Sequence, residues 1–243
     1  MNYRVGTSGW SYDHWKGAFY PETLPASRRF EHYAQQFDTV EINSTFYRIM
    51  PDTTFEGWRH KAPSGFLYAL KMWQQITHRK KLNNVGGEVA DFLKRATRLG
   101  DRLGPILIQL PPNLHLDLKR LASFLPLLSG EFEYAVEFRH PSWFTDPVYD
   151  LLRSRKIAFC VFHHIEFDCP RIVTAPLVYL RFHGSSGIYS GRYGRKGLEP
   201  WAEFAAGCLR KGHHIAAYFN NDYMAQAVED AREFLGLLKK SEC

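Results

Sequence analysis

Eight short runs of β-branched, aromatic and aliphatic residues punctuate the chain, at 3–8, 39–43, 66–71, 105–110, 134–139, 157–162, 177–183 and 215–220. They are apolar on both faces, the pattern of parallel strands covered by helices. Between them, apolar positions recur at helical spacing. Phe30, Tyr33, Ala34 and Phe37 form one such face behind a capping Ser27. Val89, Phe92, Leu93, Ala96 and Leu99 form another within 87–102. Asp117 opens a helix that turns Leu118, Leu121 and Leu125 inward, and 199–210 and 222–239 repeat the pattern. Strand followed by helix, eight times within 243 residues, predicts a single (β/α)8 TIM barrel over 1–243. It is irregular between its sixth and seventh strands, because 163–176 carries no helical pattern. An open doubly wound sheet would show a glycine fingerprint after its first strand, and GTSGWSYDHW lacks one.

Barrels of this kind do their chemistry at the C-terminal ends of the strands. Read one at a time, those ends are polar. The first offers Ser8, Gly9 and Trp10; the second ends TVEINSTFYR, where Glu41 and Asn43 share one side of the strand. Lys71 ends the third, and Gln109 ends the fourth before a rigid Pro111–Pro112 exit. The fifth places Glu137 and Arg139 in phase ahead of Trp143. The seventh, VYLRFHG, does the same for Tyr179, Arg181 and His183, and the eighth ends in Asn220, Asn221 and Asp222. Each has an ordinary structural explanation alone: an ion pair inside a barrel layer for Glu137 and Arg139, a hydrogen-bonded core histidine for His183. Their coincidence at one kind of position points to a ligand pocket, since charge inside apolar strands is costly unless paired or used.

Charge and composition sharpen this picture. The 31 Lys and Arg against 25 Asp and Glu leave a net charge of +6, which suits an anionic partner. The loop HGSSGIYSGRYGRKG, with Tyr189, Arg192 and five glycines, reads as a backbone cradle for an anion, although its spacing fits no phosphate-loop or dinucleotide fingerprint. The HRKK run at 78–81 reads as a solvated basic turn. Glu41, Glu137, His183 and Asp222 have the chemistry of divalent-metal ligands, but Lys71, Arg139 and Arg181 would crowd the same mouth with positive charge. No cofactor is therefore expected, with a divalent metal as the less favoured alternative. Cys160, Cys169, Cys208 and Cys243 show no metal or disulfide spacing. With no apolar signal core and no membrane-length apolar run, a cytoplasmic protein without a membrane partner is expected.

The strand-end motifs GTSGWSYDHWKGAFYP, TVEINSTFYR, KMWQQITH, LGPILIQLPP, EFRHPSW, YLRFHG and YFNND together resemble the YecE-like family, domain of unknown function 72, from Gly6 to about Asp230. The resemblance implies a barrel and brings no established activity. Trp10, Glu41, Asn43, Lys71, His78, Gln109, Glu137, Arg139, His140, Trp143, Arg181, His183, Asn220, Asn221 and Asp222 coincide with the family pattern. One departure stands out. Members commonly carry an Asp near the end of the sixth strand, where this chain reads CVFHH with His163 and His164.

Two functions follow as expectations. The first is an enzyme, of hydrolase, lyase or isomerase type, acting on a small anionic (phosphate- or carboxylate-bearing) or polyhydroxylated substrate. Glu41 and Glu137 would be its acid and base, Arg139 lowering Glu137 so that Glu41 carries the proton. Lys71 and Arg181 would clamp the anion, His183 would be a second donor, and Trp10, Trp73 and Trp143 would wall the pocket. Asn43, Gln109, Tyr189, Arg192, Asn220, Asn221 and Asp222 complete the substrate-binding set. The second function is nucleic-acid binding or processing, on net basicity, the Arg/Tyr/Gly loop and HRKK. A non-catalytic metabolite binder would use the first pocket.

Overall fold

The computed structural model of the chain describes residues 2–166, 168–187 and 189–241. Cys243, and Ile188 within the glycine-rich loop, lie outside the described residues. The apolar runs become strands: β1 (Tyr3–Thr7), β2 (Thr39–Ile42), β3 (Leu67–Lys71), β4 (Leu103–Gln109), β5 (Tyr134–Glu137), β6 (Ala158–Phe159), β7 (Val161–His163), β8 (Leu177–Phe182) and β9 (His214–Phe219). Every residue of β2, β5 and β8 is buried, which is why these runs show no alternation in sequence. The helices are α1 (Arg29–Ala34), α2 (Ser44–Tyr47), α3 (Asp52–Lys61), α4 (Gly86–Ala96), α5 (Leu118–Phe124), α6 (Asp146–Ser154), α7 (Gly194–Arg210) and α8 (Gln226–Lys240).

The strands pair into two sheets, β1-β9-β8-β7 and β2-β3-β4-β5-β6. The pairs β1–β9, β8–β9, β7–β8, β3–β4, β4–β5 and β5–β6 are all parallel. The chain is thus an α/β protein of parallel sheets, and the expected closed ring of eight strands gives way to nine described strands in two sheets. The extra strand comes from the sixth run, which breaks at Cys160. On one side Ala158 and Phe159 pair with β5; on the other Val161 begins the pairing with β8. The Phe159 N–H leaves the ladder for the Thr174 hydroxyl at 2.7 Å, while Cys160 N–H donates back to Val136 O at 2.9 Å.

Two compact units result. One comprises Met1–Glu41, Val161–Cys169 and Pro176–Cys243; the other comprises Ile42–Cys160 and Pro170–Ala175. The first has a core around Val5, Tyr33, Leu180, Phe219 and Phe234, and the second around Leu70, Ile106, Ile108, Val136 and Leu152, all nearly inaccessible to water. Segment 164–176 contains no helix among the described residues, matching its missing periodicity.

Helix starts show where local chemistry was readable. Asp117 caps α5 by accepting the Arg120 N–H at 2.9 Å. Ser27 does not cap α1. Extended Pro25 accepts the Arg28 N–H, so winding begins one turn early as a 3-10 turn, Ala26–Arg28, that contains Ser27. The last helix begins at Gln226 rather than 222, because Met224 and Ala225 adopt left-handed backbone (φ 51° and 60°) ahead of it. No described helix is long and apolar enough to cross a membrane.

Thr174 gives this architecture a direct test. Its buried hydroxyl accepts from Phe159 N–H and donates to Ile157 O at 2.6 Å, stitching its loop to the broken strand. Thr174→Val leaves both backbone groups unanswered at nearly constant volume. It is expected to cost ~1–3 kcal/mol in urea denaturation, and an unchanged midpoint would remove the stitch from the account.

Candidate functional site

Each unit carries a glutamate wholly removed from water near the C-terminal end of a strand. In the first unit it is Glu41. Ser8, beside it through a parallel bridge, donates its hydroxyl to Oε1 at 2.7 Å. The period of two along β8 aims Tyr179, Arg181 and His183 to one side. Arg181 Nη2 reaches Glu41 Oε1 at 2.7 Å, and the Tyr179 hydroxyl reaches Oε2 at 2.7 Å. Glu41 is 0% exposed and Arg181 1%, so the ion pair is sealed. Burial, with the Glu41 charge beside it, holds the Tyr179 phenol well above its ordinary range and keeps it a neutral donor.

His183 continues this cluster. Its Nε2 lies 3.5 Å from Arg181 Nη1, a long contact in which a guanidinium can only donate. Its Nδ1 lies 3.3 Å from the Asn220 side-chain amide nitrogen. His164, nearly buried, packs edge-on against His183 with ring centroids 5.9 Å apart. His163 Nδ1 lies 2.8 Å from the Tyr193 hydroxyl. The CVFHH departure thus supplies two imidazoles around His183 and the loop that follows it.

In the second unit the buried glutamate is Glu137, the last residue of β5. Arg139 Nε donates to its Oε1, Gln109 Nε2 donates to the same oxygen at 2.9 Å, and the Cys160 thiol lies 3.8 Å from Oε2. Lys71 is 8% exposed and sets its ammonium 4.1 Å from the centre of the Phe46 ring. His78 packs edge-on against that same ring at 4.8 Å. Burial, then Lys71 and Arg139, pull the His78 imidazole down to about 4 against the opposing effect of Glu137, so it is neutral at pH 7.

The other expected site residues divide. Trp143 is wholly buried, stacks on Phe138 at 4.8 Å and donates its indole N–H to Leu114 O at 2.7 Å; it is a core residue and not a pocket wall. Trp10 is partly exposed against Phe30, and Asn43 precedes α2 with a buried Oδ1 lacking a partner among the described residues. Asp222 anchors the segment after β1: its carbonyl accepts from Trp15 Nε1 at 2.8 Å and its carboxylate lies 3.3 Å from His14. The glycine loop already holds an anion of the protein's own. Asp230, fully buried on α8, accepts the Tyr193 and Gly194 N–H groups at 3.0 Å and the Asn221 amide at 2.8 Å. Arg192 ion-pairs with Glu229, and Tyr189 is exposed on left-handed backbone (φ 62°) 6.3 Å from the His183 ring. No group of three or more metal-ligating side chains occurs among the described residues.

Four site residues had been given no catalytic or binding role. Tyr179 was legible through its phase with Arg181. Ser8 was read at the first strand end, and its bridge to Glu41 gives it a partner. His78 and Phe46 carried no periodic signal, because His78 is set by a π-turn, Gln75–Arg79, where the register slips by a residue. Of the HRKK run, Arg79 is exposed and Lys80 ion-pairs with Glu88, as a solvated turn requires, but His78 points into the site. The two glutamates also differ less than expected: each, not Glu137 alone, holds an arginine.

A parallel α/β protein with carboxylate–guanidinium pairs at its strand ends is the class that fold and site define. Residues 4–242 match the model for "Protein of unknown function DUF72", and the chain belongs to that family. It is similar to the UPF0759 protein YunF of Bacillus subtilis, 24% identical over 267 aligned positions that cover 96% of this chain and 94% of that protein. The UPF0759 protein YecE of Escherichia coli is 32% identical over 141 positions, covering 58% of this chain and 49% of that protein. The crystal structure of a DUF72 family protein from Thermotoga maritima superimposes with a TM-score of 0.87 at 30% identity, over 98% of this chain and 99% of that one.

Arg181→Met is expected to cost ~3–5 kcal/mol of stability by stranding Glu41 in the interior. Adding Glu41→Gln should recover part of that loss, read as non-additivity in a denaturation cycle; strictly additive losses would show that the pair is not coupled.

Proposed function

We propose that the protein is an enzyme that moves protons on a small anionic or polyhydroxylated substrate, using strand-end carboxylates. The observation that carries this reading is the repeated arrangement itself. In each unit a glutamate with no exposure accepts from an arginine and from further donors: Ser8 and Tyr179 at Glu41, Gln109 and Cys160 at Glu137. Sealing such a pair gains little stability over an apolar filling, so two of them at strand ends favour a use.

The shells assign different parts to the two carboxylates. A hydroxyl can reverse and accept, whereas a guanidinium and an amide –NH2 cannot. A proton arriving on Glu41 Oε2 therefore finds an acceptor in Tyr179, and one on Oε1 finds Ser8. A proton on Glu137 Oε1 would face Arg139 and Gln109, both donors. Glu41 is thus the proton carrier, with His183 beside its arginine as the relay, and Glu137 is the fixed charge that orients Arg139 and Gln109. Pairing alone does not separate them; the two hydroxyls beside Glu41, stronger acceptors than the Cys160 thiol 3.8 Å from Glu137, favour this assignment.

Turnover of a panel of sugar phosphates and hydroxy acids tests the assignment. Glu41→Gln should lower kcat by roughly 10²-fold or more with the fold intact by circular dichroism. Glu137→Gln should act more through KM. Unchanged kcat and KM in both folded variants would sink the reading.

A further inference from the structure

Beside α2, in the second unit, exposed apolar side chains adjoin a slot with an apolar lining. The slot lies between residues 45–50, α3 and α4, with Met50, Phe55, Phe92 and the half-buried Trp73 in its walls. From α4 comes a stripe at helical spacing, Glu88, Asp91, Phe92 and Arg95. The enclosed space is about 10 Å³, enough for roughly one water and far short of the ~300 Å³ at which metabolite pockets begin. Such a shape suits a surface that another protein covers better than a cavity that a small molecule fills. Next to the slot, Tyr47 keeps 66% of its exposure and Ile49 42%, and Arg48 between them is exposed as well. Tyrosine, arginine, methionine and tryptophan, all present in this patch, are the residue types enriched where proteins meet.

Charge narrows the choice of protein. Arg48 lines the slot and makes no ion pair among the described residues. Asp91 lines it too; its Oδ2 accepts from Arg95 Nε at 3.0 Å, and its Oδ1 has no partner among the described residues. The neighbouring charges are already matched, Lys80 with Glu88 and Arg95 also with Asp52 at 3.0 Å. One patch therefore holds both an exposed apolar pair and an apolar slot, both an unmatched cation and a carboxylate with an oxygen to spare. Turned about a twofold axis, each of these meets its complement, which is the condition for an isologous contact. We propose that this face is a homodimer interface, in which Tyr47 and Ile49 of each copy lie over the slot of the other and Arg48 of each copy pairs with Asp91 of the other. The proposal does not depend on the enzyme reading above.

Sedimentation velocity tests it. The native chain should pass from monomer to dimer over roughly 1–300 μM, since contacts of modest size begin at micromolar affinity. Ile49→Asp sets a charge in the apolar contact and should weaken the dimer by roughly tenfold or more, with an unchanged circular dichroism spectrum because the position is exposed. Arg48→Glu and Asp91→Lys should each be monomeric alone, since each brings like charges face to face. Mixed in equal amounts, the two variants should form a heterodimer, because opposite charges then meet at both copies of the contact. A dimer built on any other face would show no such rescue. The proposal is overturned if the native chain stays monomeric throughout, which would leave the patch to a different protein, if Ile49→Asp dimerises like the native chain, or if the two charge variants stay apart when mixed.

Discussion

A carboxylate taken fully out of water needs a counter-charge and donors for its oxygens, or it will not stay ionised where the fold puts it. Glu41 meets that requirement through β8. The strand's pleat sends Tyr179 and Arg181 to the same side, one for each carboxylate oxygen, and Ser8 adds a hydroxyl to the oxygen that the guanidinium already holds. The register between β8 and β9 therefore matters beyond its ladder bonds. A slip of one residue would carry Arg181 to the other face and strand a charge in the interior. The parallel pairing of Arg181 with Tyr218 and Phe182 with Phe219 is tied to the electrostatics it positions.

The same constraint has a different solution at Glu137, and the difference has chemical consequences. Its arginine comes from its own chain two residues on, and its amide partner comes from the neighbouring strand, where Gln109 pairs with Glu137 in register. This shell is short-range, with a guanidinium and an amide on one oxygen and the Cys160 thiol 3.8 Å from the other. The hydroxyl-bearing shell of Glu41 tolerates a change in protonation, because each hydroxyl can reverse its bond. Two carboxylates with similar burial and similar ion pairs thus differ in their uncharged neighbours, two hydroxyls beside Glu41 against an amide and a thiol beside Glu137.

How much of this was legible in the sequence follows from the range of each interaction. Strand positions were readable because parallel strands buried on both faces have nothing else to be made of, and the period of two put Tyr179, Arg181 and His183 on one side directly. The break at Cys160 was not readable. It depends on a threonine hydroxyl, Thr174, brought in from 15 residues away to take the Phe159 N–H. His78 was marked by the family resemblance but not by periodicity, since a π-turn shifts it out of helical phase. Trp143 misled in the other direction: an aromatic just past a strand end resembles a pocket wall, and only its indole bond to Leu114 O shows that it faces the core.

The glycine loop after β8 shows where a motif stops carrying information. Glycines and cations in sequence announce that backbone N–H groups will converge on negative charge, but not whose charge it is. Here it is Asp230, which lies 36 and 37 residues beyond the two N–H groups it accepts. Burial raises this carboxyl while those N–H groups and the Asn221 amide hold it down. Arg192 adds a longer contact at 3.8 Å. The N–H groups of Tyr193 and Gly194, a ready cradle for an external phosphate, are already engaged. The loop's task becomes positional. With Asp230 holding its far end, the Tyr193 hydroxyl accepts the Gly184 N–H and meets His163, so the segment leaving His183 is tied back to β7. The charge that the loop's glycines and cations announced is thus met from within the chain, by a carboxylate on the last helix.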